Sequence, residues 1–107
     1  MGVPGFVYLM KIDLKSRGIT DCYKIGSTTN IKNRVSAVSS EWCESVSLVH
    51  SIYTADTLTI EKKIQHIFNY FQWQQPLDIP VWHYEYFLFD SNILPTVMKT
   101  MSKWDMA

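Results

Sequence analysis

The sequence YKIGSTTNIKNR, residues 23–34, joins a short apolar strand to a helix. Gly26 predicts a turn with positive φ, and Thr28 or Thr29 predicts the cap of the following helix. A helix N-terminus presents unpaired N–H groups and the positive end of its dipole, and Arg34 adds a bidentate phosphate donor. The stretch therefore predicts an anion site, although the same residues are also an ordinary way to leave a strand and cap a helix. Its candidate substrate-binding residues are Gly26, Ser27, Thr28, Asn30 and Lys32.

The residues upstream of this stretch predict a β-hairpin. Gly5–Asp13 carries apolar side chains on both faces, which is typical of a central strand. Residues 14–21 are polar and contain Gly18, so they predict a hairpin loop. Cys22–Ser27 is then the second strand, antiparallel to the first.

A helix and a half-buried strand are predicted next. Apolar residues at helical spacing predict a helix over about residues 30–39, and Trp42 in the following loop is expected to fold back onto the core. Residues 45–53 alternate between apolar and polar side chains, which indicates a strand. One face of this strand carries Val46, Leu48, His50 and Ile52, and the expected buried residues of the helix are Ile31, Val35 and Val38.

Asp56 predicts the cap of a second helix, over about Thr57–Trp73. Glu61 lies in its second turn, between core positions 60 and 64. The expected buried residues of this helix are Leu58, Ile60, Ile64, Ile67, Phe68 and Phe71.

The C-terminal part predicts an edge strand and a short helix. Pro76 and Pro80 interrupt the chain, and residues 82–89 form a last extended stretch. A helix over about residues 91–104 follows, with Pro95 tolerated near its first turn. The order ββαβα, then edge strand and helix, predicts an α+β fold with a small antiparallel sheet of three strands, or four if the edge strand joins it.

Length and composition predict one domain over residues 1–107, with its core at about 5–90. No apolar run is long enough to span a membrane, and the N-terminus lacks the pattern of a signal peptide. We therefore expect a cytoplasmic protein, or a nuclear one in a eukaryote, that is not secreted. Cys22 and Cys43 lack zinc-ligand spacing and predict reduced structural thiols.

The charges are unevenly distributed although the net charge is zero. Residues 1–34 contain six Lys or Arg against two Asp. A polyanion is therefore expected to approach over the first hairpin and helix, with few phosphates neutralised.

Short motifs follow one another along residues 5–90. They are Phe6-Val7-Tyr8, Lys24-Ile25-Gly26, Asn30 with Arg34, a strand ending Leu48-Val49-His50-Ser51-Ile52, Ile60-Glu61-Lys62 and Glu85-Tyr86-Phe87. In this order and spacing the chain resembles the GIY-YIG nuclease superfamily, most closely its small phage-type and fungal meiotic-gene branch.

The resemblance implies hydrolysis of a DNA phosphodiester bond with one divalent metal ion, Mg²⁺ or Mn²⁺. It implies that Tyr8 helps to activate a water, that Arg34 contacts the scissile phosphate and that Glu61 holds the metal. A lone carboxylate suits Mg²⁺, which keeps much of its hydration shell. A guanidinium suits the charge that builds on the phosphorus oxygens.

Lys24 stands where the second motif of the family has a tyrosine, and it completes the candidate catalytic set. It would bring positive charge to the phosphate but could accept a proton only after losing that charge. Tyr23 lies on the opposite face of the strand. Lys11 matches a lysine of the DNA-repair branch, and His50 could help in proton transfer. The candidate helpers are therefore Lys11, Tyr23 and His50.

The sequence thus predicts a small metal-dependent DNA endonuclease. The alternative is a weak or inactive scaffold that binds nucleic acid or protein as a regulatory factor of a phage or mobile element. The neutral charge, Lys24 and the aromatic-rich C-terminal half favour this alternative, since that half offers a surface for a homodimer or a protein partner. A purely structural domain is the third interpretation.

Overall fold

The structure is a computed structural model that describes residues 2–42, 44–73 and 85–106. Its elements are β1 (Gly5–Leu14), β2 (Ile19–Thr28), α1 (Ile31–Trp42), β3 (Val46–Thr54), α2 (Thr57–Ile67), β4 (Tyr86–Leu88) and α3 (Leu94–Ser102), with 3₁₀ turns at Lys15–Arg17 and Asn69–Phe71. The strands form one antiparallel sheet in the order β3-β1-β2-β4. The predicted α+β fold is confirmed, with four strands.

Strand β1 is central, as its two apolar faces predicted, because it pairs with both β2 and β3. One face contributes Val7 and Leu9 to a core that also includes Ile64 of α2 and Val97 of α3. The other face contributes Tyr8 to a second core, which Val38 of α1 covers. Helix α1 and helices α2 and α3 therefore pack on opposite faces of the sheet. Within the described ranges, each helix falls short of the length and apolarity that a membrane span requires.

Gly26 does not form the predicted turn. It lies inside β2, directly opposite Tyr8 on β1, and the strand continues to Thr28. Among the described glycines only Gly18 has positive φ, in the hairpin turn. The prediction was wrong because the ladder between the first two strands continues beyond position 26.

The cap of α1 is Asn30 and not a threonine. The Asn30 Oδ1 accepts a hydrogen bond from the Asn33 N–H at 3.1 Å. The Thr28 hydroxyl instead accepts from the Asn30 N–H at 3.1 Å, which closes the turn before the helix. The helix also runs to Trp42, so that residue packs from the last helical turn and not from a loop.

Strand β3 does not keep the simple alternation that its sequence suggested. A bulge between the pairs Leu9–His50 and Met10–Leu48 leaves Val49 as an extra residue. Val46 therefore packs with the α1 side of the sheet and Ile52 with the other side. Leu48 is 42% exposed, so its predicted burial was wrong.

Asp56 caps α2 as predicted, accepting from the Thr59 N–H at 3.3 Å. The helix ends at Ile67, short of the predicted Trp73, and a 3₁₀ turn follows. Leu58 and Ile67 are 55% and 50% exposed, so they are not core residues. The buried positions of the helix are Thr57, Glu61, Ile64 and Gln65.

The C-terminal predictions are confirmed in part. Asp90 accepts hydrogen bonds from the N–H groups of Asn92 and Ile93, and Pro95 lies in the first turn of α3. Cys22 is a free, buried thiol. Pro76, Pro80, the first part of the extended stretch and Cys43 lie outside the described residues.

The aromatic residues Phe68, Tyr86 and Phe87 are buried in the core, whereas Tyr70 is 81% exposed.

Candidate active site at the open edge of the second strand

A cavity of about 540 Å³ lies where α1 and α2 meet the edge of β2. The short β4 pairs only with Cys22–Lys24, so among the described strands the following residues of β2 have an open edge. Gln65 of α2 uses this edge, donating to the Ile25 carbonyl at 2.8 Å. This bond fixes α2 beside the end of β2. The cavity is lined by Tyr8, Lys24, Ser27, Arg34, Glu41, Leu58, Glu61, Lys62, Gln65 and Glu85.

All four residues of the predicted catalytic set line this cavity. Each comes from a different element, β1, β2, α1 or α2, and more than fifty residues of sequence separate the first, Tyr8, from the last, Glu61. Tyr8 and Lys24 share a face of the sheet because their cross-strand partners, Gly26 and Met10, alternate in register with them. The sequence predicted the members of this group, and the fold brings them together.

Tyr8 enters the cavity over Gly26. A methyl group at position 26 would lie 2.6 Å from the Tyr8 Cζ and overlap the hydroxyl. Burial raises the pKa of the Tyr8 hydroxyl, and the nearby positive charge of Arg34 partly opposes that rise. The phenol is therefore protonated at neutral pH and lies within the electrostatic reach of Arg34.

Glu61 is a carboxylate held in a largely buried position. It is 8% exposed, and burial raises its pKa. The charge of Glu85 acts in the same direction, while a hydrogen bond from the Ser27 hydroxyl and the charge of Lys24 lower the pKa. In this structure the effect of burial on the Glu61 carboxylate therefore outweighs that of the groups that lower its pKa.

Lys24 is buried and pairs with Glu85. Its Nζ lies 3.7 Å from the Glu85 Oε2 and 5.5 Å from the centre of the Tyr86 ring. Only 5% of the Lys24 residue surface is exposed, so these two contacts help to compensate a charge that water hardly reaches.

Sequence reasoning missed part of the cavity wall. Glu85 appeared in a motif without a role, and Glu41 and Gln65 were not candidates. Gln65 could have been found from its spacing, since it lies one turn after Glu61 on α2. Among the described residues that line the cavity, the formal charges are balanced: Lys24, Arg34 and Lys62 against Glu41, Glu61 and Glu85.

The three candidate helpers lie on the far face of the sheet. Tyr23 packs on Phe89, with ring centres 5.8 Å apart, and Lys11 lies over the Tyr23 ring at 6.0 Å. His50 makes a 3.0 Å hydrogen bond through Nε2 to the Ser102 hydroxyl of α3. The fold does not bring them to the cavity.

The candidate substrate-binding residues divide into two groups. Ser27 lines the cavity and Gly26 lies beneath Tyr8. Thr28 and Asn30 use their side chains in the turn and the helix cap, and Lys32 is exposed on α1. Of the residues predicted to bind an anion around the start of α1, Ser27 and Arg34 therefore line the cavity.

The fold and the cavity define a small α+β domain with a polar, charged site at one sheet edge. The T5orf172 domain model matches residues 5–104. The chain therefore belongs to the T5orf172 domain family, a phage-associated family linked to nuclease-like proteins. No curated protein and no solved structure gives a significant match to the chain.

Proposed function

We propose that this protein is a metal-dependent DNA endonuclease of the GIY-YIG type. The observation that carries the proposal is that Tyr8, Lys24, Arg34 and Glu61 line one cavity. A hydroxyl, two cations and a carboxylate in one cleft are the groups that phosphodiester hydrolysis needs. The T5orf172 family match supports the same class of activity.

Glu61 is the residue that would hold the metal ion. No group of three or more His, Cys, Asp or Glu suited to a metal occurs in the described ranges. This donor set fits Mg²⁺ or Mn²⁺ retaining several waters, and does not fit a metal held by a full protein cage. When bound, the ion would polarise a phosphate oxygen and stabilise the leaving alkoxide.

Tyr8 acts in this proposal as a neutral phenol. Because burial raises its pKa, the hydroxyl keeps its proton and orients the attacking water through a hydrogen bond. Arg34 is exposed at the cavity wall, where it stabilises the negative charge that grows on the phosphorus oxygens. Lys24 adds a second positive charge from the floor of the cavity.

Nicking of supercoiled plasmid in Mg²⁺ or Mn²⁺ tests the proposal, with EDTA as the metal-free control. Glu61→Gln keeps the size of the side chain but removes its charge, and should lower the rate about a hundred-fold or more. Arg34→Ala should have a loss of similar size. Glu44→Gln is the matched control, because Glu44 accepts a hydrogen bond from Ser16 outside this cavity. Equal rates for Glu61→Gln and Glu44→Gln would rule out the assigned role.

One observation favours a second candidate, a binding scaffold without catalysis. Lys24 is already engaged by Glu85, and the charges of the described residues that line the cavity are balanced. In that case the protein would not cut DNA with either metal, while complex formation with its nucleic-acid or protein partner would survive Glu61→Gln. Wild type and Glu61→Gln therefore decide between an endonuclease and a binding scaffold.

A further inference from the structure

A second groove, of about 490 Å³, lies on the outer side of α2. Its floor is apolar: Ile67 is half exposed, and the Trp104 ring is partly buried against the core. The Thr59 hydroxyl adds little polarity, because it donates to the Asp56 carboxylate at 2.7 Å. The lining residues are Thr59, Lys62, Lys63, His66, Ile67 and Trp104.

The rim of this groove carries basic side chains. Lys62, Lys63 and His66 surround the apolar floor, and the described lining residues include no carboxylate. Lys62 also lines the candidate active site, so the two depressions are neighbours that share one cation. An apolar floor with a basic rim has the chemistry of a site where a nucleobase stacks and the adjoining phosphates are paired.

We propose that this groove binds an unpaired nucleotide of the DNA that enters the candidate active site. The base lies against Ile67 and Trp104, and the adjoining phosphates contact Lys62 and Lys63. The inference rests on the proposed function and narrows its substrate to DNA with a single-stranded segment beside the cleaved bond. An acidic peptide with an apolar anchor would also match the rim, but the shared Lys62 favours the strand that reaches the cavity.

Binding without cleavage tests this inference. The probe is fluorescein-labelled oligothymidylate, and its anisotropy is followed with the Glu61→Gln protein in EDTA. Adding Ile67→Glu places a carboxylate on the floor of the groove and should weaken binding about ten-fold. Tyr70→Glu is the matched control, since Tyr70 is 81% exposed outside the groove, and should leave the affinity unchanged. Both sites are exposed, so both variants are expected to fold.

A second pair of variants tests the phosphate contact. Lys63→Ala should reduce the slope of log affinity against log salt by about 0.7, the value for one phosphate on a single strand. Lys99→Ala removes the same charge at an exposed position of α3, outside the groove, and should leave the slope unchanged.

Two outcomes would overturn the inference. One is equal affinity of Ile67→Glu and Tyr70→Glu for oligothymidylate. The other is that neither variant changes the binding of oligothymidylate, while Ile67→Glu weakens the binding of a leucine-containing acidic peptide. That result would make the groove a peptide site. Failure of the wild-type protein to nick plasmid would instead contradict the proposed function, so the two failures are separate.

Discussion

The Tyr8 ring lies against the backbone of Gly26 on the neighbouring strand, where the two residues are direct cross-strand partners. A side chain at position 26 would occupy the space of the Tyr8 hydroxyl. Glycine is therefore needed here for close approach and not for a turn. The position and direction of the phenol in the cavity depend on a residue that contributes no chemistry of its own.

Gly26→Ala should destabilise the protein by about 1–3 kcal/mol, because the added methyl group overpacks the contact with Tyr8. In a Tyr8→Leu background the shorter side chain relieves the overlap, so the same change should cost less than about 1 kcal/mol. Urea unfolding of the four proteins measures this coupling. Equal costs in the two backgrounds would show that Gly26 is required for some other reason.

Glu61→Gln should make the protein more stable near neutral pH. Burial raises the pKa of Glu61 above its ordinary value of 4.5. A raised pKa means that folding favours the protonated carboxyl. The contribution of this protonated group to the free energy of unfolding is complete below pH 4.5, and it is lost as the pH rises through the pKa of the folded state. The gain in stability from Glu61→Gln should therefore be absent below pH 4.5 and appear above it.

Urea unfolding of wild type and Glu61→Gln, at pH values below and above 4.5, is the measurement. A stability difference that does not change with pH would contradict the role of burial. Greater stability together with lost cleavage would show that the carboxylate is kept at a cost to the fold.

Much of the fold follows from sequence, because hydrophobic patterns fix which face of each strand is buried. The two apolar faces of β1 predicted its central place, and Asp56 predicted the start of α2. Errors arose where a tertiary contact overrides a local rule. The bulge at Val49 changes the face of the following residues in β3, and nothing in an alternating sequence indicates where such an extra residue falls.

The four residues of the predicted catalytic set line one cavity, but part of the wall around them was not predicted. These residues were chosen because the order of motifs resembles that of the GIY-YIG superfamily, which implies roles for Tyr8, Arg34 and Glu61. Glu85 was missed because its relevance depends on the open edge of β2, which is a property of the assembled sheet, whereas Gln65 lies one turn after Glu61 and could have been found from that spacing. Spacing alone could not distinguish Glu85 from a surface carboxylate.

Divalent metal should stabilise the wild-type protein through Glu61. A bound cation removes the unfavourable burial of the carboxylate, and at ten times the dissociation constant it should add about 1.4 kcal/mol. Thermal unfolding with increasing MnCl₂ should therefore raise the midpoint of wild type and leave that of Glu61→Gln nearly unchanged. Parallel shifts in both proteins would place the metal elsewhere.

Lys24 and Glu85 should have similar effects on stability and different effects on cleavage. Either Glu85→Gln or Lys24→Met breaks a largely buried pair, and each should cost about 1–2 kcal/mol, less than a fully buried pair because Glu85 is partly exposed. The double variant should cost less than the sum of the two, since it leaves no buried unpaired charge.

Cleavage should distinguish the two partners. In the proposed mechanism, Lys24→Met removes a positive charge that stabilises the phosphate, whereas Glu85→Gln frees that charge for the substrate. Plasmid nicking should fall at least about ten-fold in Lys24→Met and should be retained or rise in Glu85→Gln. A parallel loss of cleavage in both variants would mean that the pair acts only through the fold.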